Sequence, residues 1–178
     1  MKQPKILVVG SINMDLFVEG ANAIPRYGES IRCRHYGYAP GGKGSNQAFA
    51  VAKQGADVVF VGCIGDDENG KQVKASLDEA GVNTDYLVVD PETQTGLALM
   101  LLDDRTGRYV SYVAMGGNDR LSPDAVRKAM DENEFDFRHL KDDLSFPKYR
   151  QSANFWTRNA FLFYHQMKQK QKPLPESV

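Results

Sequence analysis

The segment Gly41-Gly42-Lys43-Gly44-Ser45-Asn46-Gln47 gathers three glycines, a cation, a hydroxyl and two amides within seven residues. Glycines remove Cβ atoms, so a ligand can approach backbone N–H groups, and at a helix start those groups point outward and attract oxygen. Lys43 and Asn46 add polar groups for hydroxyls or anionic oxygens. This chemistry suits a polyol or a phosphorylated small molecule. The segment lacks the Gly-x4-Gly-Lys-Ser/Thr spacing of a P-loop, and no Gly-x-Gly-x-x-Gly follows the first apolar run. A plain tight turn needs one glycine, which leaves the others unexplained. Asn13 and Asp15, alternate residues just after that first run, offer an amide and a carboxylate, a pair able to chelate vicinal hydroxyls.

The other chemistry-bearing residues are dispersed. Cys33 and Cys63 have no Cys-x-x-Cys partner or histidine cluster beside them and read as reduced, packed thiols. His35, His139 and His165 are too far apart in sequence to suggest a triad or metal site. Asp66-Asp67 and Asp103-Asp104 read as a helix-start pair and a turn pair rather than as metal ligands. No residue is assigned a catalytic or metal-binding role.

Elements that would position these residues alternate along the chain. Lys5 to Gly10 is a short β-branched run ended by glycine, the pattern of a buried parallel strand, with Gly10 to Asp15 as the loop at its carboxyl end. That end is where open α/β sheets bind ligands. Ala48, Val51, Ala52 and Gly55 repeat at helical spacing, so the glycines precede a helix. Val58 to Gly62 and Tyr86 to Val89 read as further strands, and Glu68 to Ala80 as a helix stopped by Gly81. Gly96–Leu102 and Arg108–Val113 flank a turn-forming cluster and make a β-hairpin. Leu16–Glu19 and Ile31–Tyr36 are strand-like and could join the hairpin in a small second sheet. Ser122-Pro123-Asp124 is a helix start, with a capping hydroxyl, proline in the first turn and a carboxylate for the dipole. The expected fold class is α/β, a central parallel sheet flanked by helices, carrying a small β-sheet lid.

The 178 residues have a formal net charge of −1 and are 42% hydrophobic and 25% charged, the profile of a soluble globular chain. No apolar run approaches the ~18 residues of a membrane span, and the apolar stretch after the first five residues is too short for a signal peptide, so the expected compartment is the cytoplasm. Basic residues before Arg138 are too scattered for nucleic-acid binding. The near-neutral total is a cancellation. Residues 1–137 carry a balance of −6 and residues 138–178 one of +5, and all 16 glycines lie at or before Gly117. This shift marks a boundary.

Val9-Gly-Ser-Ile-Asn-Met-Asp15, Pro25-Arg-Tyr-Gly-Glu29, Gly41-Gly-Lys-Gly-Ser-Asn-Gln-Ala48, Gly62-Cys-Ile-Gly-Asp66, Thr95-Gly-Leu-Ala98 and Gly116-Gly-Asn-Asp-Arg-Leu-Ser-Pro123 occur in one order. Over residues 1–130 the chain thereby resembles the N-terminal part of the ribokinase-like (PfkB) family of sugar and nucleoside kinases, with Lys43 and Gln47 favouring its ribokinase branch. The resemblance implies that Asn13, Asp15, Gly42, Lys43, Gly44, Ser45 and Asn46 contact the sugar. It also implies a lid that closes over ribose and often builds a homodimer. A complete member transfers the γ-phosphoryl of ATP, with Mg²⁺ and an activating monovalent cation (K⁺), to the 5-hydroxyl of D-ribose. Its Gly-Ala-Gly-Asp-type catalytic-base segment and its nucleotide site lie downstream. With no glycine after Gly117, these residues do not contain that segment, so negligible kinase turnover is expected from this polypeptide alone. A non-catalytic sugar-binding or lid-dimerising fragment is the alternative. The sugar stays open among ribose, deoxyribose and other pentoses.

Residues 131–178 diverge from the family pattern, and Phe135 to Leu144 reads as lacking the expected strand. The stretch from Phe161 to Lys172 could form a basic amphipathic helix. A second explanation is a shifted reading frame. If each codon takes the last base of one residue and the first two of the next, Met167-Lys168 must read Glu. The allowed choices from His165 to Ser177 then include a string resembling the family's Asn-Glu-Thr-Glu-Ala-Glu segment. A tail of that origin is expected to pack poorly, giving low solubility or partial disorder after Met130.

Overall fold

The computed structural model describes residues 3–20, 25–103 and 105–140. In chain order the elements are β1 (Lys5–Val9), β2 (Asn13–Glu19), β3 (His35–Gly41), α1 (Lys43–Lys53), β4 (Asp57–Val61), β5 (Cys63–Gly65), α2 (Glu68–Glu79), β6 (Val88–Asp90), β7 (Gly96–Asp103), β8 (Arg108–Ala114), a 3₁₀ turn (Gly116–Arg120), α3 (Pro123–Asp131) and β9 (Phe137–Leu140). They form a parallel sheet β4-β1-β9, a mixed sheet β3-β2-β7-β8 and a two-stranded parallel sheet β5-β6. The α/β class and the separate lid sheet follow the sequence expectation.

The central sheet is apolar on both faces because helices cover both. Ile6, Val8, Val58 and Phe60 pack with Ala48 of α1 and Val73 and Leu77 of α2. The alternate residues Leu7, Val9, Val59 and Val61 pack with Leu121 and with Val126 and Ala129 of α3. Strand period two thus divides one run of hydrophobic residues between two cores. Burying each of these Val, Leu or Phe side chains contributes about 1.5–3 kcal/mol. Local signals set the helix starts: the Asp67 side chain accepts from the Gly70 N–H, and the Ser122 side chain from the Ala125 N–H. Each cap is worth ~1 kcal/mol.

Several boundaries differ from the sequence reading. The lid strand expected at Ile31–Tyr36 begins at His35 and continues to Gly41, because it pairs antiparallel with all of β2, from Glu19↔His35 to Asn13↔Gly41. Its Pro40 is tolerated because β3 is an edge strand. β6 begins at Val88 rather than Tyr86, since it pairs with the short β5, Cys63↔Val88. The absence of a strand after Phe135 is overturned: Phe137–Leu140 pairs parallel with Ile6–Val9. The polar Arg138 and His139 hid it, but the backbone ladder with β1 and the packing of Phe137 against the core hold the segment extended. Cys33 is exposed rather than packed, whereas Cys63 is buried. The readings placed on Asp104, on the 161–172 helix, on His165 and on the shifted frame lie outside the described residues.

Candidate functional site

Asn13 and Asp15 were expected in a loop after β1; they stand on β2. Only Gly10, Ser11 and Ile12 link β1 to β2, so the chain passes from the central sheet into the lid without a true loop. Being two residues apart on one strand, the side chains share a face. Asn13 is flanked by Gly41 of β3 and Gly96 of β7, and Asp15 by Ala39 and Ala98. Small residues thus flank the amide and the carboxylate on both sides in this trough of the β2 face, where Asn13 is buried and Asp15 half-buried. A Cβ on Gly41 would overlap the Asp15 carboxylate, and one on Gly96 would overlap Asn13 Oδ1 and Asn118 Nδ2. Asp15 is partly buried, and that burial raises its pKa above the usual 3.8.

The glycine-rich turn lies against the start of β2, but two of its glycines serve a different purpose from the one their spacing suggests. Gly42 has φ +98°, and a Cβ there would lie 2.7 Å from Ser11 O and 2.8 Å from Ile12 Cα. A Cβ on Gly44 would lie 2.6 Å from Gly10 Cα. The space freed is filled by the β1–β2 link, which pins the α1 start onto the carboxyl end of β1; Ser45 N–H donates to Ser11 O at 3.1 Å. The Ser45 hydroxyl is directed at the carbonyls of Gly41 and Gly42 and so holds the turn closed. No side chain caps α1 and no acidic residue lies in its first turn, and Lys43, its first residue, is exposed. Asn46, with Pro40, Gly41, Ser45, Phe49 and Ser76, lines a hollow of about 200 Å³ between α1 and α2. Gln47 contacts His139 of β9, Oε1 to Nε2, at 2.9 Å.

Two buried clusters escaped the sequence reading. Asn118 is 2% exposed and Asn13 8%. Asn118 Oδ1 accepts from Ile12 N–H at 2.9 Å, and its Nδ2 donates to Asn13 Oδ1 at 2.8 Å, Met115 O at 2.8 Å and Ile12 O at 3.2 Å. One side chain on the turn after β8 thereby clamps the start of β2. The signal was the Gly116-Gly117-Asn118 triplet, whose glycines pack against Gln94 O and Cys63 O. In the second cluster Asp67 accepts from Thr95 N–H at 2.8 Å and Thr95 Oγ1–H at 2.7 Å, while Thr95 Oγ1 accepts from Gly65 N–H at 3.1 Å. Burial alone would raise the Asp67 carboxyl, but the bonds from Thr95 and Gly70 prevail and hold it below its usual range. This cluster ties the base of the lid to α2.

Burial first, with Asp90 adding and Arg120 opposing, pushes the Cys63 thiol up to about 11, so it stays protonated and inert. Among the described residues no group of three or more His, Cys, Asp or Glu could hold a metal ion. No helix among them is long and apolar enough to cross a membrane. An open hollow of about 510 Å³ bordered by Met130, Glu132, Glu134 and Arg138 lies on the α3–β9 side.

A family model described as pfkB family carbohydrate kinase matches residues 3–165. Ribokinase of Bacillus subtilis is 37% identical over 129 residues, covering 72% of this chain and 43% of that protein. The solved structure of Arabidopsis thaliana ribokinase complexed with ribose and ATP has 34% identity and a TM-score of 0.59, covering 71% of this chain and 42% of that one. Ribokinase from Giardia lamblia gives a TM-score of 0.72 at 26% identity, covering 94% of this chain and 50% of that one. The chain therefore spans half or less of the length of these relatives.

Proposed function

Because the chain belongs to the pfkB family of carbohydrate kinases, we propose that its β2 trough is the sugar-binding side of a ribokinase-type enzyme that uses ATP to phosphorylate D-ribose. The observation that carries this reading is the placement of Asn13 and Asp15 on one face of β2 between Gly41 and Ala39 on one side and Gly96 and Ala98 on the other. An amide and a carboxylate at that spacing match adjacent hydroxyls, and the small flanking residues make room for a ring. Lys43, at the uncapped α1 start, supplies positive potential at the same end of the strand. Gly42, Gly44 and Ser45 shape the turn, and Asn46 lines the hollow that Gly41 and Ser45 also border.

ATP supplies the phosphoryl group, and in the whole enzyme Mg²⁺ and K⁺ assist. Among the described residues no group of three or more His, Cys, Asp or Glu could hold a metal ion, and no step is assigned to the cations. What these residues do is bind and orient: Asp15 accepts hydrogen bonds from sugar hydroxyls, and the lid limits water around them.

The opposite face of the lid favours a second copy of the chain. By register, Leu16 and Val18 of β2 share that face with Tyr36 and Tyr38 of β3, Leu99 of β7 and Tyr112 of β8. Tyr36, Tyr38 and Tyr112 are 57–65% exposed, and apolar surface of this kind marks an association site. Isothermal titration with D-ribose tests the reading. Ribose heat that is lost in Asn13→Ala and Asp15→Ala supports it; absence of ribose binding to the wild-type chain refutes it. Sedimentation of Tyr112→Glu tests the lid contact, which predicts a shift from dimer to monomer.

A further inference from the structure

The Asn118 contacts determine which end of the Asn13 amide faces the trough. An Asn side chain can be rotated by half a turn with little change in shape, so its polarity must come from partners of fixed character. Ile12 N–H can only donate, and it meets one end of Asn118 at 2.9 Å. That end is therefore the oxygen. The other end meets two groups that can only accept, Met115 O at 2.8 Å and Ile12 O at 3.2 Å, and is the nitrogen. The same nitrogen lies 2.8 Å from Asn13, so the Asn13 atom facing it is Oδ1 and the atom left for the trough is Nδ2.

We propose that Asn118 is a positioning residue which, through three fixed backbone partners, sets Asn13 as an obligate hydrogen-bond donor toward the ligand. With Asp15 an acceptor one step along the same face, the trough reads a pair of oxygens with polarity: one accepts from Asn13, the other donates to Asp15. This specificity device rests on the sugar-binding reading for its ligand, but the amide orientation does not. Gly96 is part of the device, since a Cβ there would overlap both ends of the Asn118–Asn13 bond.

The experiment follows the two side-chain NH₂ groups by ¹⁵N NMR, assigned through Asn13→Asp and Asn118→Asp. In the ribose-free wild type, the Asn118 NH₂ should exchange with solvent at least tenfold more slowly than that of Asn13. Asn118→Asp keeps an acceptor for Ile12 N–H but turns the donor facing Asn13 into an acceptor. Its Asn13 amide should then rotate and become the slowly exchanging group, and ribose affinity should fall about tenfold or more, although residue 118 does not touch the ligand. Ribose should shift the Asn13 NH₂ resonances in the wild type and leave them unmoved in Asn118→Asp. If Asn118→Asp does not fold, Asn13→Asp decides: it can still accept from Asn118, whose NH₂ should remain slow. A fast Asn118 NH₂ in the wild type or in Asn13→Asp, or an Asn13 amide that does not change in a folded Asn118→Asp, overturns the proposal. Failure of ribose to bind the wild type would remove the sugar reading alone, because the ribose-free exchange rates report the orientation directly.

Discussion

Gly41→Ala separates binding from folding. An added Cβ would overlap Oδ1, Oδ2 and Cγ of Asp15 and nothing else as closely. The obstructed group is the far end of a partly buried side chain that can swing away at a cost of order 0.5–1.5 kcal/mol. Gly41 does not have positive φ, so alanine is permitted there, and replacing glycine inside a strand returns roughly 0.5–1 kcal/mol. The two effects nearly cancel, and the melting temperature should stay within about 4 °C of wild type. Binding has no such compensation. The carboxylate is displaced from the trough, and hydrogen bonds to a charged acceptor are worth about 1.5–3 kcal/mol, so ribose affinity should fall roughly 10- to 150-fold. Calorimetric titration together with a thermal melt reads both quantities on one preparation. Wild-type affinity in a normally folded Gly41→Ala would remove Asp15 from the sugar site, and a large loss of stability would make Gly41 a structural residue instead.

Further outcomes follow from the same geometry. Gly44→Ala should fail where Gly41→Ala succeeds, because its Cβ meets the backbone of Gly10 and Ser11 at 2.6–2.9 Å; overpacking of about 1–3 kcal/mol should lower the melting temperature measurably. Burial raises the Asp15 pKa, so the native state binds its proton more tightly than the unfolded chain, and stability falls as pH rises from near 3.8 through the raised value. Asp15→Asn should therefore melt no lower than wild type at neutral pH while losing ribose affinity, and wild-type affinity should itself decline as pH falls through that raised value; a neutral-pH melt lower than wild type would contradict the sign. Asp67 is shifted the other way, so its contribution is present above about pH 3.8 and is lost as pH falls through its lowered value. Asp67→Ala removes a helix cap and strands Thr95 N–H, costing about 2–4 kcal/mol at neutral pH, and its deficit relative to wild type in thermal melts should shrink in acid.

Patterns of local origin were legible in the sequence. The β-branched run at Lys5, the paired runs around Gly107, and the Ser122-Pro123 start each depend on neighbours within a few residues, and each became the element its spacing implies. Asn13 and Asp15 were identifiable as a polar pair, but their placement on a strand was not, because β2 is extended by its pairing with residues 35–41 and 96–102. Phe137–Leu140 was missed for the same reason: two polar residues conceal a strand that exists through its ladder with β1.

The glycine-rich turn shows how the two kinds of information combine. Its composition points to a close approach, and the close approach is real, yet at Gly42 and Gly44 the approaching atoms belong to Ser11, Ile12 and Gly10. The consequence for binding is indirect. Pressing the α1 start against the β1–β2 link sets where β2 begins, hence which residues fall opposite Gly41 and Gly96, and that register leaves Asn13 and Asp15 with small neighbours. Asn118, 105 residues from Asn13, then fixes the polarity of the amide that the register has uncovered. The trough is thus specified by packing at its base as much as by the residues that line it. Substitutions at Gly44 or Gly96 should therefore impair sugar recognition without removing any group that touches the sugar.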